Sequence, residues 1–235
     1  GTLSSSEGKR VQKDLSLGVS LRLPNVEEYW QVKFSSYDDL QEKRRSQNLF
    51  IRQNRRNDDY GATLGLFRKL GRIRAAFQPR ILLKNPIGIS HSLSFENVTD
   101  MTTYSINPKL ELYAEADKGT GTAWNLNFNY ILSKVHSLTF VNSGDYASQT
   151  YLHTVNNGFS IGQIVNELSA ISYGIIFTSI NQPEYHLASY SIYTTYNRII
   201  YRNVLDFQLT PHFDFNKDDD FRPRAGVSTT IGMSF

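Results

Sequence analysis

From Ala225 to the end of the chain, residues alternate without a break. Ala225, Val227, Thr229, Ile231, Met233 and Phe235 fall on one side; Gly226, Ser228, Thr230, Gly232 and Ser234 fall on the other. A period of two is the signature of a β-strand with an apolar and a polar face, because successive side chains leave opposite sides of a pleated backbone. The same rhythm recurs along most of the chain. Leu15 to Leu23 alternate with Ser16, Gly18, Ser20 and Arg22, and Trp30, Val32 and Phe34 with Gln31 and Lys33. Trp124, Leu126, Phe128 and Tyr130 alternate with Asn125, Asn127 and Asn129, and Leu205 to Phe215 with Asp206, Gln208, Thr210, His212 and Asp214. Helical periodicity does not compete over a comparable length. Turn-forming clusters such as Lys69-Leu70-Gly71, Asn85-Pro86, Asn166-Glu167 and Asn216–Asp220 punctuate the runs. Segmentation on them predicts an all-β chain of about fourteen antiparallel strands, with twelve as the alternative. The first strand is expected at 14–23, the third at 46–54 and the last at 224–235, with 1–13 as an N-terminal periplasmic segment.

Alternation alone does not say which face meets water. In a soluble β-sandwich the apolar face points inward and the charged face outward. Here the polar face is rich in Ser, Thr, Gly and Asn with isolated charges, and only 20% of all residues are charged. Aromatic residues make up 13% of the chain, and several lie near strand ends on the apolar side: Tyr29, Trp30, Tyr104, Trp124, Tyr130, Tyr196 and Tyr201. Amphipathic rings at a fixed depth form the interfacial girdles of membrane barrels. Strands of ten to twelve residues suit a tilted crossing of the hydrocarbon layer, for which roughly 9–11 are needed. Strands in lipid must close on themselves, because an open edge leaves unpaired backbone groups. The pattern therefore predicts a closed transmembrane β-barrel over residues 14–235. No run of about eighteen apolar residues exists, so a helical membrane span is excluded. The chain has no cysteine, which removes disulfides, iron–sulfur clusters and thiolate zinc sites. The opening residues carry no signal-peptide pattern, which reads as a mature, trimmed or cytosolic chain.

The terminal strand Val227-Ser-Thr-Thr-Ile-Gly-Met-Ser-Phe235 resembles the C-terminal signature of bacterial outer-membrane β-barrel proteins, a porin-like class. The stretch Tyr201 to Pro211 is similar to the penultimate hairpin of uncharacterised barrels. No characterised porin family is matched. The resemblance implies an outer-membrane location, an even strand number and both termini in the periplasm. It also implies that Phe235 is read by the barrel-assembly machinery. Outer-membrane lipid and lipopolysaccharide would then be the surroundings.

Charge is unevenly distributed. The net +3 combines 17 Lys and Arg against 9 Asp and Glu in residues 1–84 with 8 against 13 in residues 85–235. The basic residues are dispersed over alternating strands and no recognition helix is present, which argues against nucleic acid. Taken as inward-facing, Arg22, Lys33, Arg52, Arg72, Arg74 and Arg80 form a basic wall. Glu111, Asp206 and Asp214, with His212 between the last two, form an acidic one. Opposed walls set up a transverse field across a water-filled lumen, a usual selectivity device. Arginine would favour anions, which its guanidinium holds bidentately. The alternative is that these charges pair and fill a closed barrel that anchors or scaffolds a partner protein.

Enzyme signals are weak. His91 between Ser90 and Ser92 lacks the His-x-Ser-Asn-Gly pattern of the outer-membrane phospholipases and falls on the lipid-facing register. His212, in line with Asp206 and Asp214, fits a pore lining better than acid–base catalysis. Asp218-Asp219-Asp220 reads as a solvated turn rather than a cation site. No cofactor and no metal are implied. The expectation is a channel for passive diffusion of small polar, anionic solutes. Gating would come from side chains or from residues 1–13.

Overall fold

The computed structural model describes residues 2–6, 12–14, 18–22, 30–35, 61–82, 87–97, 99–115, 119–201 and 205–233. Sixteen strand segments lie within them. In chain order they are β1 (Thr2–Ser6), β2 (Gln12–Asp14), β3 (Gly18–Arg22), β4 (Trp30–Ser35), β5 (Gly61–Leu70), β6 (Ile73–Leu82), β7 (Gly88–Asn97) and β8 (Thr99–Asp100). There follow β9 (Tyr104–Glu115), β10 (Gly119–Ile131), β11 (His136–Ala147), β12 (Leu152–Asn166), β13 (Ser169–Ile180), β14 (His186–Tyr201), β15 (Leu205–Asn216) and β16 (Pro223–Met233). Lys217–Asp219 makes a single 3-10 turn, and no described helix is long and apolar enough to cross a membrane.

All strands belong to one antiparallel sheet. Its ladder runs β2-β1-β16-β15-β14-β13-β12-β11-β10-β9-β7-β6-β5-β4-β3, with β8 as a side branch on β9. Each strand from β9 to β16 pairs with its sequence neighbour, as an up-and-down meander does. The hairpin between β5 and β6 turns over two residues, and Gly71 there takes a φ of 63° that residues with a side chain rarely adopt. Among the described residues the ladder is an open path, whose ends are β2 and β3. Those ends are close in sequence. Asp14 and Gly18 are separated by four Cα steps, at most about 15 Å. A flat path of this many strands at about 4.8 Å spacing would measure over 60 Å. The sheet must therefore roll until its edges approach each other.

The sheet is inside-out relative to a soluble protein. Thirty large hydrophobic side chains are exposed and only six hydrophobic residues are buried, whereas fifteen polar or charged residues are buried among those described. Strand β7 shows the rule most clearly: Ile89, His91 and Leu93 are exposed while Gly88, Ser90, Ser92 and Ser94 are buried. An apolar surface of that extent is unstable in water and suited to acyl chains. On this outer face Tyr104, Phe128, Tyr130 and Phe140 stack near one end of the strands. Phe177, Tyr190, Phe215 and Phe221 stack near the other. Polar groups on the same face satisfy one another, as where Asn142 donates to Asn157.

Of the N-terminal segment expected at 1–13, the described residues lie in the sheet: Thr2–Ser6 pairs with β16 from Thr2↔Thr230 to Ser6↔Gly226, and Gln12–Asp14 pairs with β1. Leu3 and Ser4 alternate too briefly for a period of two to show, so the pairing is decided by the partner strand. Consequently the last strand adjoins β1 rather than the strand that bears Arg22, and these N-terminal residues form wall rather than a plug. The strand expected at 46–54 lies outside the described residues.

Candidate pore lining

The inward face is organised in cross-strand rows. One row reads Arg74, Glu96, Lys109, Asn125 and Ser143 across β6, β7, β9, β10 and β11. The next holds Ala76, Ser94, Glu111, Ala123 and Asp145, and a third Gln78, Ser92, Tyr113, Gly121 and Ala147. Further along, Arg80, Ser90 and Glu115 share a row. Arg80 and Glu111 thus stand beside Ser or Ala, which leaves room for them to lie across the sheet, while Arg74, Glu96 and Lys109 stand beside one another. Arg80 and Glu111 are each only 1% exposed, and Lys109 Nζ donates to Glu111 Oε2 at 2.9 Å. Tyr113 occupies the space over Gly121, where a Cβ would sit 2.1 Å from the ring, and its hydroxyl donates to Asp145 Oδ1 at 2.7 Å. This part of the wall is filled by its own charges and their partners.

The wall from β10 to β15 differs. A central row runs Asn129, Thr139, Ser160, Gly174, Tyr193 and His212 over six strands, and continues to Gly226. It lacks acidic and basic side chains before His212. Tyr193 covers Gly174, where a Cβ would come within 2.5 Å of the ring. Thr195 and Thr210 share a hydrogen bond at 3.2 Å, and Gln208 Nε2 donates to the same Thr210 hydroxyl at 3.2 Å. A cavity of about 240 Å³ opens along this wall, bordered by Asn127, Asn129, Thr139, Tyr193, Asn197 and Gln208 among others. Asn125, at the junction of the two walls, is 4% exposed with neither carboxamide atom hydrogen-bonded.

The residues singled out from sequence are placed as follows. Arg74, Arg80 and Glu111 share the inward register, with Arg80 and Glu111 buried and Arg74 exposed. His212 is buried there, with Nδ1 3.2 Å from the Thr210 carbonyl oxygen and Nε2 3.5 Å from Asp214 Oδ2. Asp214 also accepts from Ser191 Oγ at 2.7 Å. Asp206 shares the inward register but is exposed at the strand end that faces Gly232. Arg72 is exposed in the two-residue turn that joins β5 to β6, because β6 begins one residue later than the strand expected from 72. Arg22 and Lys33 have ladder positions opposite Gln31 and Ser20. Arg52 and Phe235 lie outside the described residues. His91 is on the outer face beside the Phe77 ring, which removes it from any lumenal chemistry. Asp219 accepts from Arg224 Nη2 at 2.6 Å, so the acidic turn is tied to β16. Sequence reasoning missed Glu96, Lys109, Tyr113, Asp145 and the amide-lined wall. The signal for the latter was present in the alternation Asn125-Leu126-Asn127-Phe128-Asn129.

Comparison with solved structures settles the fold. OccK7 (OpdD) of Pseudomonas aeruginosa superposes with a TM-score of 0.55 at 10% identity, covering 98% of this chain and 71% of that one. A loop-deletion form of OmpT, an outer membrane protein of Vibrio cholerae, gives 0.53 at 8% identity, with 97% and 94% covered. The monoaromatic hydrocarbon channel CymD gives 0.50 at 10% identity, with 100% and 86% covered. The fold is that of an outer-membrane β-barrel. No family model matches the chain, and no curated protein does. At these identities the likeness shows the fold alone, so the barrel's activity has to be argued from its lining.

Proposed function

We propose that the protein is an outer-membrane channel for passive diffusion of small polar solutes, with a preference for anions. The observation that carries this reading is the predominantly polar inner surface of β6 to β16, beneath an outer surface of exposed hydrophobic side chains. Strand arithmetic supports a lumen wide enough to conduct. Every step of the ladder is antiparallel, so β2 and β3 run in the same direction. Counting β2 and β3 as one position in the wall gives about fourteen positions, an even number as single-chain outer-membrane barrels require. Side chains fill a barrel of about eight strands, while sixteen to eighteen leave an aqueous channel. Fourteen lies nearer the open limit. Both termini then lie at the periplasmic rim, where Phe235 would be offered to the assembly machinery. Lipid and lipopolysaccharide surround the outer face.

The anion preference is inferred from Arg22, Lys33, Arg74 and Arg80, whose sequence positions fall on β3, β4 and β6. They stand apart from Asp206 and Asp214 on β15. Planar-bilayer recording under a potassium chloride gradient tests the proposal. Steady conductance with a reversal potential on the anion side, moved towards zero by Arg74→Ser and Arg80→Ser together, is the expected result. Absence of conductance from folded protein would instead favour a non-conducting barrel that anchors a partner.

A further inference from the structure

We propose that the uncharged central stretch of the wall of β10 to β15 is a binding subsite for a neutral polyhydroxyl solute of about monosaccharide size. The proposal rests on the channel reading for access, and names a solute class that the charged wall does not explain. Four observations carry it. The cavity of about 240 Å³ lies on this wall, below the roughly 300–1,000 Å³ of sites for drug-sized ligands. The groups that border it are Asn and Gln carboxamides, Thr and Ser hydroxyls, one tyrosine and one valine, Val141, with no acid or base among them. A carboxamide offers a donor pair beside an acceptor, which matches adjacent hydroxyls that also donate and accept. An ion would be better served by the opposite wall.

The lining is also held in place. Asn129 Nδ2 donates to Ser105 Oγ at 3.1 Å, and the Thr195–Thr210–Gln208 chain fixes the far side. Tyr193, 5% exposed, has its ring seated in the gap left by Gly174, so the ring forms a rigid floor. Rigid aromatic surface contributes contact area at low entropic cost. Binding to such a wall is enthalpic and directional; passage then proceeds along successive hydroxyl and amide groups of the rows on either side.

The test is calorimetric titration of the detergent-folded protein with glucose, maltose and glucuronate, checked by saturation-transfer NMR. Folding of each variant is verified by its heat-modifiable migration. The expected result is binding of the neutral sugars, with glucuronate no tighter than glucose. Asn129→Leu and the nearly isosteric Thr139→Val should each weaken it by up to roughly tenfold, the loss of about one well-made hydrogen bond. Absence of sugar binding, tighter glucuronate, or affinity unchanged in both variants overturns the proposal. Sugar binding by a protein that conducts no current would sink the channel reading and leave the subsite standing. Conductance without sugar binding would do the reverse.

Discussion

The two inner walls solve the same packing problem in different ways. On β6, β7 and β9 long charged side chains line the face, and Arg80 and Glu111 have serine or alanine as neighbours. Arg80 and Glu111 lie down over that floor and bury themselves almost completely. On β10 to β15 the side chains around the cavity are mostly amides and hydroxyls, with Tyr193 lying over Gly174, and a cavity remains between them. The space is left open where short polar groups predominate and filled where long charged side chains lie across short neighbours. Charge follows the same division: the first wall needs internal ion pairs, while the second has polar groups to offer to a solute.

Three measurements would break or sharpen this contrast, each read as the unfolding free energy of protein refolded into lipid vesicles. The largest effect is expected from Glu111→Ala, which leaves Lys109 without its partner in a nearly dry environment; loss of about 3–5 kcal/mol is anticipated for a broken buried pair. A change below about 1 kcal/mol would mean that the charged wall is solvated and no different from the other. Next comes Ile192→Arg, at the centre of β14 on the outer face, for which about 2–4 kcal/mol is expected from a cation in the hydrocarbon. If that variant were as stable as the parent, the outer face would be wet and both walls would lose their meaning. The smallest effect is expected at the junction. Asn125→Leu removes a buried carboxamide that has no hydrogen-bond partner, and should leave stability unchanged or raise it by about 1 kcal/mol. A cost comparable to that of Glu111→Ala would show that the amide wall, too, is held together by its polar contacts.

Much of the barrel was legible beforehand because its rule is local. Alternation assigns faces residue by residue, and it put Glu111, Arg80 and His212 inward and His91 outward without any knowledge of neighbours. Arg72 was misplaced by a single residue, since a tight turn ends a strand abruptly and the residue beside Gly71 leaves the pleat. The first strand was missed for another reason: Thr2–Ser6 has a single apolar residue, Leu3, and is too short for a period to register. Its strand character comes from the unpaired edge of β16, not from its own composition.

The sequence by itself determined that this chain is a sheet with one greasy and one polar face, and which residues belong to each. That information is carried by the fixed two-residue repeat of an extended backbone. Which polar residues meet across strands was decided only by the tertiary structure. Register sets every such encounter, and it depends on hydrogen bonds between segments that the chain itself keeps far apart. The rows that pair Lys109 with Glu96 and Asn125, seat Tyr193 over Gly174 and divide the lumen into a filled and an open wall exist only once those strands are laid side by side.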